Sequence, residues 1–388
     1  MSIFKDAENL INSQNEKLNN IDIDVQNVKD DFKGVSQLAA QNFHDISELK
    51  KDLTNFTASN SAALNLVTPQ DNLQSACDEA FASWLKERER ILNLPGLDGI
   101  HKLAAANQST ITIFLAPGRH VINGTLIVQG GVKIIGLGRV ILDFPNCKKG
   151  KDLPEKHKVN YGPFCENKVA ILFDTDAEDS KTFASPGESG IEGCEIQAGS
   201  AFGIAVQGTR NNFNVRKCKL KGYPQLNDDA GDFMKGGIAF LPKFDYFWEN
   251  GKPWNPSSAS WQTDTHIEDC LFESVEMGIV GSCGEQPHIQ RNQFNSVRHA
   301  CVLWSIVQGV IRDNTVFMVP KYSKGERTPE EAFLINAAHV PTFCGNNWVV
   351  GHPLPHTVGD GYNNGMVVDE DGIVAHKSFS YIIRKAWK

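Results

Sequence analysis

Apolar residues recur over the first sixty positions at the alternating three- and four-residue spacing of a helix with a narrow seam. With Phe4 as the first seam position, one column reads Phe4, Ile11, Leu18, Val25, Phe32, Ala39, Ile46, Leu53 and Asn60. The other reads Ala7, Gln14, Ile21, Val28, Val35, Asn42, Leu49, Phe56 and Ala63. Fifteen of these eighteen are apolar, no proline interrupts them, and flanking positions pair Lys17 with Asp22, Asp24 with Lys29 and Asp45 with Lys50. The pattern predicts a parallel coiled coil over residues 1–66, about 90 Å long at about 1.5 Å per residue. The alternative is one amphipathic helix packed on its own domain, which sixty residues would overhang. β-Branched residues at both seam columns favour three strands over two, while Gln14 and Asn42 fix register. The oligomerisation residues are Leu18, Ile21, Val25, Val28, Phe32, Val35, Ile46, Leu49, Leu53 and Phe56.

Residues 67–108 read as a helical plug. Thr68 is placed as the N-cap, Pro69 as the first helical residue and Asp71 at the third position. Leu73, Ala76, Ala80, Phe81, Trp84 and Leu85 then form one apolar face, and a short helix near 100–106 follows.

From Ile111 the period changes to short β-rich runs broken by Pro-Gly and Gly-Gly. A six-residue pattern then recurs: an apolar residue, two arbitrary ones, Cys or Asn, one arbitrary, and an apolar one. It appears as Ile191-x-x-Cys194-x-Ile196, Val215-x-x-Cys218-x-Leu220, Ile267-x-x-Cys270-x-Phe272, Ile289-x-x-Asn292-x-Phe294 and Ile311-x-x-Asn314-x-Val316, with a weaker copy at Phe343-x-x-Asn346-x-Trp348. Each copy precedes a second apolar run: 202–206, 236–240, 277–281, 300–304, 332–336 and 365–368. A period of twenty-odd residues carrying several strands predicts a parallel solenoid, coils stacked about 4.8 Å apart. The Cys or Asn falls in a tight turn, where it stacks on its copy in the next coil.

These residues carry a resemblance. The run IFLAPGRHVINGTLIVQGGVKIIGLG and the repeated turn ladder resemble the right-handed parallel β-helix family that includes pectate lyases, over residues 111–385. A heptad stalk joined to such a fold is similar to phage tail spikes and related trimeric appendages. The fold class expected is mainly β: a right-handed parallel β-helix of nine or ten coils over 109–388, preceded by a long N-terminal coiled-coil helix. The resemblance implies a trimer, a tail or baseplate protein at the N-terminus, bacterial surface glycan as ligand, and a place in the virion tail after assembly in the host cytoplasm.

Composition narrows the reading further. A net charge of −8 and a pI near 5.8 argue against nucleic acid as a partner. No apolar run reaches the length of a membrane span, and no secretion signal is read at the start. Nine cysteines without such a signal read as buried thiols rather than a disulfide framework. No cofactor is expected: Gly136-Leu-Gly138 lacks a third glycine and a following helix, so it is a turn, and His352-x-x-x-His356 lies between prolines and is poor ground for a metal.

Candidate chemistry sits in insertions at 221–236, 242–264, 318–331 and 350–364, which either line a sugar groove or cover the sheet and meet another subunit. Loop 242–264 holds Tyr246, Trp248, Trp254 and Trp261, suited to stacking on sugar rings or to packing on the protein itself. Loop 221–236 carries Asp228, Asp229 and Asp232; with Glu249 they are the candidate acid and base for glycoside cleavage, or a solvated acidic turn. His288, Arg291, Arg298 and His299 surround one coil and would suit proton abstraction from an acidic sugar, as in a lyase, or are simply solvated. Against catalysis, taking Ile204, Ile238, Ile279 and Val302 as inward leaves Ala205, Ala239, Val280 and Leu303 as an outer row without acid or base. Three functions follow: a glycan-binding spike with or without cleavage, a structural spike or adaptor, and a free polysaccharide lyase or hydrolase.

Overall fold

The computed structural model describes residues 65–377, with breaks at 97–98, 146–168, 175–187, 199–201, 208–209, 223–233, 241–247, 250–251 and 254–261. Further breaks fall at 283, 319–320, 324–325, 329–331, 338–341, 351–355, 360–366, 370–371 and 374–375. The chain divides into Met1–Ala63 and Leu64–Lys388. Every seam residue of the predicted coiled coil belongs to the first unit and lies outside the described residues.

Among the described residues the second unit is a stack of coils with three long parallel ladders and a short fourth through Arg210–Asn211, Gln262–Thr263 and Gly284–Glu285. The first face begins with Leu66–Val67 and Ile111–Leu115 and continues through Phe213–Arg216, His266–Glu268, His288–Gln290, Val310–Arg312 and Thr342–Gly345. The second face runs from Gly118–Val121 through Lys219–Gly222, Leu271–Glu273, Gln293–Val297 and Thr315–Met318 to Trp348–Val350. Two long strands, Val132–Phe144 and Ser189–Ala198, serve both faces. The third face orders Leu126–Gln129, Val169–Asp174, Phe202–Gln207, Met234–Phe240, Val275–Ser282, His299–Ile306, Phe333–Ala337 and His356–Gly359. Eight coils, numbered from Ile111, carry all three faces among the described residues, and Val367–Asp369 opens a ninth on the first face.

Inward residues align coil on coil. Ile191, Val215, Ile267, Ile289 and Ile311 form one column, and Ile196, Leu220, Phe272, Phe294 and Val316 another. All are fully buried. The Phe272 and Phe294 rings stack at 4.6 Å and 9°. Glycines on the facing third-face strands make room for them: a Cβ on Gly237 would lie 2.5 Å from Phe272, and one on Gly278 2.4 Å from Phe294.

Between the first and second faces the Cys/Asn positions form an interior ladder. The Asn292 Oδ1 accepts from the Cys270 N–H at 3.0 Å, while its Nδ2 donates to the Ile267 carbonyl at 2.8 Å and to the Asn314 Oδ1 at 3.1 Å. The Asn314 Oδ1 also accepts from the Asn292 N–H at 2.9 Å, and the Asn314 Nδ2 donates to the Ile289 carbonyl at 3.0 Å and to the Asn347 Oδ1 at 2.9 Å. Every polar group of the turn is thus satisfied by the adjacent coil, as burial demands. In the earlier coils the Cys218 and Cys270 thiols donate to backbone carbonyls at 3.3 and 3.2 Å. Burial pushes the Cys194 and Cys270 thiols well above the ordinary value. The six described cysteines are buried, and none of them forms a disulfide.

Left-handed residues turn many of the described corners. Lys217, Asp269, Arg291, Asp313 and Asn346 stand between the first and second faces at φ 52–57°. Ser274 and Ser296 stand between the second and third, and Asn212, Asp264, Gln286 and Gln308 between the third and first.

Helix α1, Leu73–Leu92, covers the first coils, packing on the strands Leu126–Gln129 and Ile111–Leu115; α2 spans Gly99–Gln108. The Gln74 side chain donates to the Ile127 carbonyl at 2.9 Å and accepts from its N–H at 2.8 Å, pairing with the end strand as a further strand would. Trp84 sits on Gly130 and Gly131, where an added Cβ would come within 2.6 and 2.5 Å of it, and donates to the Ser109 carbonyl at 2.9 Å.

Several expectations are corrected. The N-cap is Asn72, whose side chain accepts from the Ser75 N–H; Thr68 and Asp71 close a turn ahead of the helix, the carboxylate accepting from the Thr68 N–H and hydroxyl at 2.7 and 2.8 Å. The buried face of α1 is Leu73, Cys77, Ala80 and Trp84, with Leu85 exposed. In coil 6 Cys301 and Leu303 point inward, so Val302 belongs to the outer row. In coil 8 the inward residue is Cys344, aligned with Ile311, and the ladder residue is Asn347; the predicted copy was one residue early. Its third-face strand is His356–Gly359, inside the supposed 350–364 loop, while Val367–Asp369 returns to the first face.

Replacing Asn314 by Leu should lower unfolding stability by about 3 kcal/mol or more, because it strands the Asn292 N–H and amide and the Ile289 carbonyl. Cys270→Asn should leave stability unchanged or raise it, since the new amide reaches the Cys218 N–H and the Val215 carbonyl. Urea unfolding followed by circular dichroism measures both.

Candidate functional site

The predicted chemistry falls largely outside the described residues. Asp228, Asp229, Asp232, Tyr246, Trp254 and Trp261 all lie there. Trp248–Glu249 pairs antiparallel with Lys252–Pro253, so the backbone of the 242–264 insertion carries a hairpin. A second hairpin, Lys321–Ser323 with Glu326–Thr328, stands in the 318–331 insertion.

The basic cluster around coil 6 does not converge. His288 stands on the first face and Arg291 at the next corner, where it forks onto Asp269 at 2.8 and 3.1 Å. Arg298 pairs with Glu276 at 3.0 Å at the second corner, and His299 is buried at the start of a third-face strand. These four side chains therefore form no common acid–base site.

The outer row of the third face, Leu172, Ala205, Ala239, Val280, Val302 and Leu334, is buried within the single chain. It offers no open apolar stripe.

The first face instead carries a polar ladder. Outward positions align Glu192, Arg216, Glu268, Gln290 and Arg312 on five successive coils. Glu268, only 8% exposed, accepts from Gln290 at 2.7 Å and lies 3.3 Å from His266, 3.5 Å from Arg216 and 3.2 Å from Arg291. Burial raises its carboxyl pKa, but the bonds from Gln290 and His266 and the charge of Arg216 outweigh this and hold it below the ordinary range. Beside it the His266 and His288 rings stack at 4.7 Å and 6°. Burial and the neighbouring His266 hold His288 below the usual histidine value, against the pull of Glu268 and Asp264. Glu268 is therefore an ionised structural carboxylate, tied up by its partners rather than poised to move a proton.

The second face carries a different surface. Trp348 is 65% exposed and Phe317 38%, with ring centroids 6.2 Å apart in an edge-to-face arrangement at 67°. The sequence pattern had placed Trp348 inside. A one-residue slip sends every side chain of a strand to the opposite side, and the true inward residue is Val349, aligned with Val316. One coil earlier, Gln293 donates to Asn295 at 3.1 Å on the same outer surface. The sequence did hold a signal: Thr-Val-Phe and Trp-Val-Val put bulky apolar residues on both sides of one strand. Flat aromatic faces with amides alongside suit a ligand presenting both C–H faces and hydroxyls.

A cleft of about 390 Å³ opens at the capped end, lined by Asp71, Asn72, Gln74, His120, Asn123 and Thr125 among others. Among the described residues no group of three His, Cys, Asp or Glu side chains is arranged to hold a metal ion, and no helix is long and apolar enough to cross a membrane.

No family model matches the chain. No curated protein matches it either. A solved structure, a cysteine-to-alanine mutant of DFA-IIIase from Arthrobacter chlorophenolicus A6 in complex with DFA-III, is similar over 83% of this chain and 88% of its own, at 10% identity and a TM-score of 0.31. Likeness at that level assigns this chain neither a site nor an activity.

His288 binds its proton less readily folded than unfolded. Its contribution to stability is therefore intact above the ordinary value of 6.5 and is lost as pH falls from there through the depressed folded value. Glu268 acts in a separate, lower window, its contribution present above 4.5 and lost as pH falls further. The unfolding midpoint should drop between pH 7.5 and 5.5, and His288→Gln should shrink that drop.

Proposed function

We propose that the protein is an elongated appendage, similar in role to a phage tail spike, whose solenoid binds bacterial surface polysaccharide. In this reading residues 1–66 bundle three copies in parallel, the N-terminal end attaches to a tail or baseplate protein, and the assembled spike is part of the virion. The observation that carries the binding role is the exposed Trp348–Phe317 pair on a rigid parallel sheet. A soluble surface rarely leaves adjacent large rings uncovered without a use for them. The heptads support the assembly: a long seam of apolar residues with paired flanking charges needs partner chains to bury it.

Cleavage, if the spike performs it, belongs to Asp228, Asp229, Asp232 and Glu249. A second reading, a structural spike or adaptor without catalysis, is favoured by four described carboxylates of the solenoid faces. Glu192, Glu268, Glu273 and Asp143 are all held in ion pairs.

Light scattering on the full chain should give three times the chain mass, and removal of residues 1–63 should lower it. A monomeric full chain would rule out the bundled spike. In pull-down with bacterial polysaccharides, the full chain should retain polymer and Trp348→Ala should retain markedly less. Release of reducing ends or unsaturated sugars that is lost in Asp229→Asn or Glu249→Gln would separate cleavage from binding alone.

A further inference from the structure

We infer that the second face binds an uncharged polysaccharide segment laid along the solenoid axis over coils 6 to 8, with Trp348 and Phe317 as stacking platforms and Gln293 and Asn295 selecting among neutral sugars. This rests on the polysaccharide-binding reading and narrows it to one face, one direction and one class of ligand.

Direction follows from register. The outward positions of this face form two columns. One passes through Lys219, Leu271, Gln293, Thr315 and Trp348, the other through Lys221, Glu273, Asn295, Phe317 and Val350. Chemistry changes along the stack: two lysines in coil 4, Leu271 and Glu273 in coil 5, amides in coil 6, a hydroxyl and a ring in coil 7, a ring and an aliphatic in coil 8. Each step is about 4.8 Å, so the aromatic and amide positions span two steps along the axis. Across the axis coil 6 is bounded by corners whose charges are paired, Arg291 with Asp269 on one side and Arg298 with Glu276 on the other, and at the corner of coil 7 Asp313 pairs with Arg312. A chain lying across the coils would meet only the two outward residues of a single coil. A chain lying along them meets rings and then hydrogen-bonding amides.

Ligand class follows from charge. From coil 1 to coil 8 the outward residues of this face include three cations, Arg119, Lys219 and Lys221, and three anions, Asp143, Glu195 and Glu273. Arg119 pairs with Asp143 at 2.6 Å; Glu273 takes Lys219 at 2.9 Å and Lys221 at 3.8 Å. Glu195 accepts from Gln197 at 2.5 Å. In coils 6 to 8 the six outward positions carry no charge. Among the described residues of this strip an acidic polymer would find no cation free of an anion and would shed its hydration without compensation. A neutral sugar places C–H faces on the rings and hydroxyls on the amides at no such cost.

The test uses the full chain on an array of bacterial O-polysaccharides and capsular polysaccharides, some neutral and some carrying uronic acids or phosphate. Neutral polymers should be retained, with affinity nearly constant between about 0.05 and 1 M NaCl, because no charge is there to be screened. Trp348→Ala should weaken retention of every bound polymer about tenfold or more. Gln293→Ala with Asn295→Ala should change which neutral polymers are preferred, and Lys219→Ala should change nothing. Retention of acidic polymers alone, or steep loss with salt, would overturn this inference while leaving polysaccharide binding in place. Unchanged binding in Trp348→Ala, or a fall in its oligomer mass, would mark the strip as a subunit contact and remove it as the glycan site.

Discussion

Each coil of this protein is completed by the next, and that mutual dependence governs everything else in the structure. An isolated coil has inward aliphatics with nothing beneath them and turn groups with no partner. Stacking supplies both at once, through aligned Ile and Phe columns and through the Cys/Asn ladder. The ladder is where the two demands meet. At Asn292, Asn314 and Asn347 the side-chain amide replaces hydrogen bonds that a tight interior turn would otherwise leave unmade. At Cys194, Cys218 and Cys270 a smaller side chain does less, donating weakly to nearby carbonyls. Each arrangement stacks on its own kind, and they join at one step, where Asn292 accepts from the Cys270 backbone.

The same register orders the outside. Corner residues sit in the left-handed region, which costs a non-glycine residue about 1–2 kcal/mol. Most of these corner positions hold Lys, Arg, Asp, Gln or Ser rather than Gly, and stacking turns several into partners: Arg291 onto Asp269, Asn346 onto Asp313, Gln286 onto Gln308. Side chains that would be solvated on a loop thus become ladders. The strain is local and repeated, and the contacts that offset it are repeated with it.

This repetition also sets what could be read in advance. The 22-residue steps from Ile267 to Ile289 to Ile311 exposed the coil, because aliphatics at fixed spacing admit few alternatives. Reading failed where the repeat weakened. Cys344 stands where Ile is usual, so the pattern slid to Phe343, and that slip hid Trp348 inside. His356–Gly359 lacks the aliphatic run of the other third-face strands, so Val367 and Val368 drew the assignment instead. Asn72 supplies the helix cap because Thr68 and Asp71 satisfy each other first, a contest that local sequence rules do not decide. The oligomeric state and the loop candidates rest on residues 1–63 and on insertions whose side chains the described structure does not include.

The arrangement of ends bears on function. Main chain enters the solenoid at Leu66–Val67, against the first complete coil, and α1 closes that end with Gln74 standing in for a further strand. The exposed rings lie in coils 7 and 8, six or seven steps along the stack and roughly 30 Å away. A solenoid transmits little conformational change over such a distance, because each coil touches only its neighbours. Attachment at the capped end and ligand binding near the far end, as proposed above, would therefore be separable tasks, joined by stiffness alone. In the proposed appendage, that separation would let a stiff spacer hold the binding surface away from its anchor without the two sites having to communicate.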